Sequence, residues 1–189
     1  MLVHLRPALV MLALFTVLTG LAYPLAMTGL GQALFPAQAN GSAIVRDGTV
    51  VGSRLIGQAF TSDRYFWGRP SAAGAGYDAR ASSGANLGPT SLALADRIAE
   101  EAKRYGVSAA DIPPELLTAS GSGLDPHLSP RAALFQAERV AIARDLPIEE
   151  IQLLIAQHME QPALGVIGEP RVNVLALNLA LDERSAATP

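Results

Sequence analysis

The residues of this chain that could do chemistry are concentrated in one short, turn-rich stretch, TASGSGLDPHLSP, at residues 118–130. Ser120 and Ser122 are candidate nucleophiles, and Asp125 and His127 could serve as the carboxylate and the base of a serine hydrolase. The base must then lie within hydrogen-bond reach of the nucleophile. Because these residues are so close in sequence, the chain would have to fold back on itself to bring their side chains together. No G-x-S-x-G motif accompanies these residues. A hydrolase is therefore kept only as an alternative.

The same stretch could instead hold a phosphate group. The alternating Ser120, Gly121, Ser122 and Gly123 can present several backbone N–H groups to an anion, just ahead of a predicted helix N-terminus at Pro130. The chain has no G-x-x-x-x-G-K-[ST] motif that would add a phosphate-binding lysine. Any nucleotide would have to be held by backbone groups alone.

A third possibility is that the stretch is a structured turn without any ligand. Gly121 and Gly123 could supply positive φ angles, and Ser129 is a suitable N-cap for the helix that follows. Asp125 and His127 could be two metal ligands, but nothing nearby completes a set. We therefore predict no metal site and no catalytic residues, and take the turn as the default interpretation.

Composition narrows the class of protein. The chain has 189 residues, of which 50% are hydrophobic, and a formal net charge of −3. An acidic balance argues against nucleic acid as a partner, because phosphate backbones attract basic surfaces. The absence of cysteine excludes disulfides and cysteine-ligated metals.

The N-terminal region carries no charge from residue 7 to residue 31. This uncharged run exceeds the ~20 residues that a bilayer-spanning helix needs. Pro24 should kink the span, which membrane helices tolerate. A cleaved signal peptide is the alternative, with Ala37-Gln38-Ala39 as a cleavage site, but the run is longer than the ~7–15 apolar residues of such signals. We favour the retained anchor.

The charges around this run predict its orientation. Arg6 precedes it and the next basic residue is Arg46, so the positive-inside rule keeps the N-terminus in the cytoplasm. We therefore expect a cytoplasmic N-terminus at 1–6, a single transmembrane helix at 7–31, a linker at 32–41 and one mixed α+β extracytoplasmic domain at 42–189.

Local patterns outline that α+β domain. Asp47-Gly48 between β-branched runs predicts a hairpin within residues 42–60. Glycines and prolines make residues 68–89 a long loop. Apolar periodicity and capping residues predict helices at 90–105, 130–144 and 147–159. The alternating leucines of residues 172–181 fit a strand, but Asn173 could cap a helix, which we favour.

Six stretches, taken together and in order, resemble motifs of the KdpC family, the small accessory subunits of the Kdp potassium-transporting P-type ATPase. The resemblance covers nearly the whole chain, with departures at Ala85, Ser91 and Asp145. The stretches are GSRLIGQAF (52–60), YFWGRPSA (65–72), SGANLGPTS (83–91), TASGSGLDPHLSP (118–130), QAERVAIARDL (136–146) and GEPRVNVLALNLALD (168–182).

The resemblance implies a non-catalytic subunit of the bacterial inner membrane. Its partners would be a potassium-channel-like subunit, an ATP-hydrolysing pump subunit and a small single-span subunit. Such proteins are described as catalytic chaperones that raise the ATP affinity of the pump subunit. No stably bound cofactor is implied; ATP would act through the pump subunit. An exported binding module without membrane partners is a further alternative.

The resemblance also implies roles for particular residues. Nucleotide contacts would come from Ser120, Gly121, Ser122, Gly123 and Gln136. This conflicts with the predicted topology, because an external domain cannot meet cytoplasmic ATP and instead suits a cap near the ion entrance of the channel-like subunit. For the partner interface we expect two groups of residues. Small residues lie along one face of the span: Ala13, Thr16 and Gly20. The second group is an aromatic segment of the domain, for which core packing is the alternative: Tyr65, Phe66, Trp67 and Arg69.

Overall fold

The computed structural model describes residues 2–187 and divides the chain into two compact units, one up to Val51 and one from Gly52 onward. The first unit contains a continuous helical segment, Leu5–Leu34, which is long and apolar enough to cross a membrane. It consists of α1 (Leu5–Val17), a π-helical turn (Leu18–Ala22) and α2 (Tyr23–Leu34). No side chain of these elements is buried. A helix that is apolar on every face needs lipid or another protein around it.

The π-helical turn accommodates Pro24, which lacks the N–H that would bond to the carbonyl of Gly20. The backbone widens just before the proline instead of breaking, and the hydroxyl of Thr19 donates to the carbonyl oxygen of Phe15 at 2.6 Å. Such local adjustments satisfy the backbone groups that a proline frees in a membrane helix.

A short helix and a hairpin follow the apolar helix along the chain. After α3 (Pro36–Ala39), strands β1 (Ala43–Arg46) and β2 (Thr49–Ser53) pair in a two-stranded sheet. Asp47 and Gly48 both adopt positive φ, 49° and 76°, as a tight hairpin turn requires. The predicted hairpin is confirmed.

The second unit mixes helices with a small antiparallel sheet, which confirms the mixed helix and strand content. The sheet has the order β3-β5-β4, with His127 opposite Asn173 and Met159 opposite Val172. The elements are α4 (Leu92–Lys103), β3 (His127–Leu128), α5 (Pro130–Arg144), α6 (Ile148–Gln157), β4 (Met159–Glu160), β5 (Arg171–Asn173) and α7 (Val174–Ala187).

The ambiguous region 172–181 forms the end of β5 and most of α7. The carboxamide oxygen of Asn173 accepts from the N–H of Ala176 at 3.0 Å, so this residue ends the strand and starts the helix. The favoured helix is confirmed, and the strand pattern accounts for the first two residues of the region.

The core lies where α5 packs on α6 and α6 on α7, with the sheet beside them. Residues 54–91 contain no helix or strand, in agreement with the predicted loop at 68–89, yet part of this segment enters the core. The largest buried apolar side chains are Phe66, Leu116, Leu128, Val140, Ile151, Ile155, Val172, Leu177 and Leu181.

Candidate functional site

The Ser/Gly stretch at 118–130 is tied by its backbone to the long irregular segment. The N–H of Gly57 donates to the carbonyl of Leu124 at 2.8 Å, and the N–H of Ser83 donates to the carbonyl of Ser122 at 3.0 Å. These bonds join residues that are far apart in sequence. They take the place of the regular backbone hydrogen bonds that a helix or sheet would supply. The stretch therefore serves as a support for the irregular segment around it.

Only one of the two central glycines has the backbone conformation that glycine alone adopts easily. Gly123 has a φ of 69°, its carbonyl accepts from the hydroxyl of Ser71 at 2.6 Å, and a Cβ there would lie 2.6 Å from both Ala73 N and Ser83 O. Gly121 lies outside the left-handed region, and a Cβ there would meet no heavy atom within 4 Å. The expected positive φ is confirmed at Gly123 and wrong at Gly121.

The residues of the candidate hydrolase set are not assembled. The hydroxyl of Ser122 accepts from the N–H of Leu124 at 3.1 Å and lies 3.5 Å from the hydroxyl of Ser120. His127 faces Asp125 instead: its N–H donates to the carboxylate at 3.0 Å, and Nδ1 lies 3.5 Å from the same oxygen. Within residues 2–187, neither serine hydroxyl makes a hydrogen bond to His127, and no group of three His, Asp or Glu residues could hold a metal ion.

The carboxylate of Asp125 is instead part of the support between the two segments. Arg69 approaches it at 3.4 Å and also donates to the carbonyl of Ala119 at 3.4 Å. Burial raises the pKa of Asp125, but the hydrogen bonds from His127 and the charge of Arg69 outweigh this and lower the pKa overall. Arg69 is thus bonded within its own domain, to Asp125 and to the backbone of Ala119.

Gln136 is buried, with 1% of its surface exposed. Its carboxamide oxygen accepts from the N–H of Trp67 at 2.8 Å, and its carboxamide nitrogen donates to the carbonyl of Trp67 at 3.0 Å. Its remaining bonds join Arg139 and the carbonyl of Ala132, so no hydrogen bond links it to residues 120–123. Residues 120–123 and Gln136, which the resemblance associates with nucleotide, are therefore not joined by a hydrogen bond.

Asn178 repeats this arrangement one residue earlier in the irregular segment. Its carboxamide accepts from the N–H of Phe66 at 2.8 Å and donates to the carbonyl of Phe66 at 3.0 Å, and the side chain is 1% exposed. Sequence reasoning missed this residue, although an asparagine within the apolar run LALNLAL indicates a buried polar group that needs partners. Gln136 and Asn178 together act as two carboxamide clamps on the backbone of Phe66 and Trp67.

Three arginines complete the contacts around this aromatic segment. Arg139 donates to the carbonyl of Asp63 at 2.7 Å and to that of Tyr65 at 3.1 Å, and its guanidinium carbon lies 3.7 Å from the centroid of the Trp67 ring. Arg104 lies over the same ring at 4.5 Å. These cation–π contacts were also missed, because they depend on residues far apart in sequence.

The third arginine, Arg144, is the most deeply buried of them, its side chain being 1% exposed. It donates to the carbonyl of Arg64 at 2.6 Å and to the carboxylate of Asp182 at 2.9 Å. The same carboxylate accepts from the hydroxyl of Tyr65 at 3.1 Å. A buried charge of this kind is tolerated because it is fully paired.

A cleft of about 450 Å³ opens beside Trp67, with Arg69, Tyr77, Glu101 and Arg104 in its lining. Arg104 is paired with Glu101 at 3.1 Å and Arg69 with its aspartate, so the cleft presents no uncompensated positive charge to an anion. Burial raises the pKa of Tyr77 to about 12, and the phenol is therefore neutral. A cleft lined by paired charges and a neutral phenol does not favour the binding of a phosphate group.

The residues expected at a partner interface fall into two groups. Ala13, Thr16 and Gly20 lie on the helical segment of the first unit, where they are exposed. In the aromatic segment, Phe66 is fully buried and Trp67 is 5% exposed. Tyr65 is half-buried. Phe66 therefore has no surface to offer to a partner, and core packing accounts for it.

Comparison with known proteins finds a match along nearly the whole chain. Residues 5–183 match the KdpC family model, described as the c chain of the K+-transporting ATPase. A potassium-transporting ATPase KdpC subunit from Gemmatimonas aurantiaca is 60% identical over 193 aligned residues, covering 100% of this chain and 97% of the relative. The KdpC subunits of Methylobacterium nodulans and Caulobacter vibrioides are 57% and 60% identical, each over 97% of this chain and over 98% and 95% of their own lengths.

Proposed function

Because the chain belongs to the KdpC family of K+-transporting ATPase c chains, we propose that it is a non-catalytic accessory subunit of a potassium-transporting ATPase complex in the bacterial inner membrane. The observation that carries this proposal is the extent of the match, which runs through both the apolar helix and the domain, over residues 5–183. Its partners would be a potassium-channel-like subunit, an ATP-hydrolysing subunit and a small single-span subunit.

The helix Leu5–Leu34 supports a role as a membrane anchor. Its side chains are apolar and unburied, and a lone span in a multi-subunit complex can bury one face against a neighbouring helix. With Arg6 before the helix and Arg46 after it, the N-terminus lies in the cytoplasm and the domain on the extracytoplasmic side.

The bonding of Gln136 supports an indirect effect on ATP affinity. The Gln136 nitrogen donates to the carbonyls of Trp67 and Ala132, and its oxygen accepts from the N–H of Trp67 and from Arg139, so the carboxamide has no hydrogen-bonding capacity left for a nucleotide. An extracytoplasmic domain could change the ATP affinity of the hydrolysing subunit only through contacts between subunits. We therefore place the catalytic-chaperone role in the assembly and not in a nucleotide site on this chain.

Neither alternative function has a comparable supporting observation. A membrane-anchored serine hydrolase needs Ser120 or Ser122 near His127, and the serine hydroxyls are bonded elsewhere. An exported binding module would need no partner in the membrane. Activity on an ester by the purified chain, lost in Ser122→Ala, would favour the hydrolase over the accessory subunit.

The experiment that tests the proposal is purification of the tagged full chain from native membranes in mild detergent. We expect the other ATPase subunits to co-purify, N-terminal sequencing to find the chain uncleaved, and external protease to digest the domain in spheroplasts. Recovery of the chain alone would contradict the accessory role. A mature N-terminus at Asn40 would show that the apolar helix is a cleaved signal peptide and not a membrane anchor.

The indirect effect on ATP affinity has its own test, with Asn178 as the matched clamp residue. We expect Gln136→Leu and Asn178→Leu to act alike, each lowering the thermal stability of the chain and changing the KM for ATP of the assembled complex to a similar degree. A raised KM in Gln136→Leu alone, with stability equal to that of Asn178→Leu, would indicate direct nucleotide contact by Gln136.

A further inference from the structure

A second region of the domain, the turn that joins β4 to β5, presents an unusual concentration of exposed aliphatic side chains. Leu164, Val166 and Ile167 are 90%, 82% and 63% exposed, and we call these three residues the apolar tip. In the described part of the second unit they make up three of the nine exposed large apolar side chains, within four consecutive residues. Single exposed apolar residues are ordinary, whereas a contiguous group of them marks an interaction site.

The backbone of the apolar tip is held in an unfavourable conformation. Ala163 and Ile167 close the turn with two reciprocal N–H to carbonyl bonds of 2.9 Å. Between them, Leu164 and Gly165 have φ angles of 54° and 77°. Asn-Gly is the pair that adopts two successive positive φ angles most readily, and a leucine in the left-handed region is costly. Strain of this kind is concentrated at functional sites, so it is a second observation, independent of exposure.

The base of the turn is rigid, so the apolar tip is presented in a defined position. Met159 pairs with Val172 and Glu160 with Arg171, and β5 is the central strand of the sheet. The carboxylate of Glu160 accepts from Arg171 at 2.9 Å and from Arg54 at 3.3 Å. A preorganised contact loses less conformational freedom on binding than a flexible one.

The charge pattern distinguishes between a bilayer and a protein as the occupant. Residues 161–168 carry no charge and no aromatic side chain. The charges on either side are Glu160, Glu169 and Arg171, and Arg171, like Arg54, is paired with Glu160. Segments that insert into the membrane surface carry Trp or Tyr at the interface and basic residues that attract anionic lipids. An uncharged aliphatic tip beside a carboxylate instead complements an apolar pocket of a protein.

We infer that the apolar tip docks into an uncharged, aliphatic-lined pocket on the extracytoplasmic surface of another subunit of the potassium-transporting ATPase. This inference rests on the proposed function, which supplies the partner and the side of the membrane. It names a surface that is separate in sequence from the aromatic segment at residues 65–69. The tip is the contact, and the sheet beneath it determines the direction of approach.

The absence of cysteine from the chain allows a clean accessibility test. Val166→Cys places one thiol on the apolar tip, and Ile142→Cys is the control, at a residue on α5 that is 75% exposed. In the purified chain, both thiols should react freely with a membrane-impermeant maleimide. In the co-purified complex we expect Val166→Cys to react about tenfold more slowly, because interface cores exclude water, and Ile142→Cys to keep its rate.

The remaining outcomes separate the two proposals. If the other subunits co-purify and Val166→Cys still reacts at its free rate, the inference is overturned while the proposed function stands. If no subunit co-purifies with the unmodified chain, both fail. Protection of Val166→Cys when the full chain is reconstituted alone into vesicles of phosphatidylethanolamine and phosphatidylglycerol would identify the bilayer as occupant and also overturn the inference.

A substitution that relieves the strain distinguishes docking from folding. Leu164→Asn suits the left-handed backbone, so the thermal stability of the chain should stay the same or rise. Because it also removes the apolar side chain, we expect lower recovery of the partner subunits. Leu92→Asn, at a 75% exposed position of α4, is the control and should leave recovery normal. Full recovery with Leu164→Asn would contradict docking through this tip.

Discussion

Gly123 is the residue at which local stereochemistry constrains the molecule most sharply. Its φ of 69° resists any side chain, and a Cβ would lie 2.6 Å from two backbone atoms of the neighbouring irregular segment. We expect Gly123→Ala to lower the free energy of unfolding of the full chain by at least about 1–3 kcal/mol, the cost of such backbone strain. Urea unfolding in detergent, followed by tryptophan fluorescence, measures the loss.

Gly121 provides the matched control for this substitution. It lies two residues away, outside the left-handed region, and has open space where a Cβ would be. Gly121→Ala should therefore change the free energy of unfolding by no more than about 0.5 kcal/mol, as at other unconstrained surface positions. Equal losses for the two variants would mean that the stretch at 118–130 is adjustable and does not support its neighbours as described.

At the scale of single elements, α4 and α5 each follow a serine at the N-cap position, and of these two serines Ser129 alone forms a side-chain cap. The hydroxyl of Ser129 accepts from the N–H of Ala132 at 3.2 Å and donates to the carboxylate of Glu115. Ser91, in the corresponding position of α4, makes no capping bond with its side chain. Ser129→Ala should cost about 1 kcal/mol of stability through the lost cap alone.

The pair Ser129→Ala and Ser91→Ala therefore tests capping at matched positions. We expect the first variant to unfold at a lower temperature and the second to unfold close to the unmodified chain, as measured by circular dichroism. The difference should be larger than the cap alone provides, because Ser129→Ala also removes the hydroxyl bond to Glu115, whose carboxylate then keeps only the backbone N–H of residue 129. A Ser91→Ala variant that loses as much stability as Ser129→Ala would contradict the assignment.

At the scale of the whole molecule, the anchor helix is expected to take part in assembly. Ala13, Thr16 and Gly20 share a face by their spacing, and small residues let helices approach closely in a membrane. Gly20→Leu should weaken co-purification with the other ATPase subunits. The chain should still insert, because leucine favours the bilayer and a Cβ at position 20 would clash with nothing in the chain.

Ala22→Leu is the control for this substitution. It adds a similar volume two residues away, and residues two apart do not share a helix face. We expect it to assemble normally. Undiminished assembly and potassium uptake at low external potassium in Gly20→Leu would mean that the anchor only tethers the domain, and that the domain supplies the whole interface.

Several properties were predictable from the sequence alone because they depend on neighbours along the chain. The uncharged run identified the helix that could span a membrane, Asp47-Gly48 identified the hairpin, and Ser129 with Pro130 identified the start of α5. The order of six short motifs was enough to suggest the family, which the comparisons then confirmed. Hydrophobic periodicity, turn chemistry and capping act over a few residues, and so they leave a record in the sequence.

Other properties were decided only by the tertiary structure, because they join residues that are distant along the chain. Gln136 bonds to the backbone of Trp67 and Asn178 to that of Phe66, so an irregular segment is held in the core by side chains of two helices. Likewise, only the folded backbone distinguishes Gly123 from Gly121. A buried polar backbone needs a partner, but composition and spacing do not say which side chain will provide it, since that choice depends on how the helices pack.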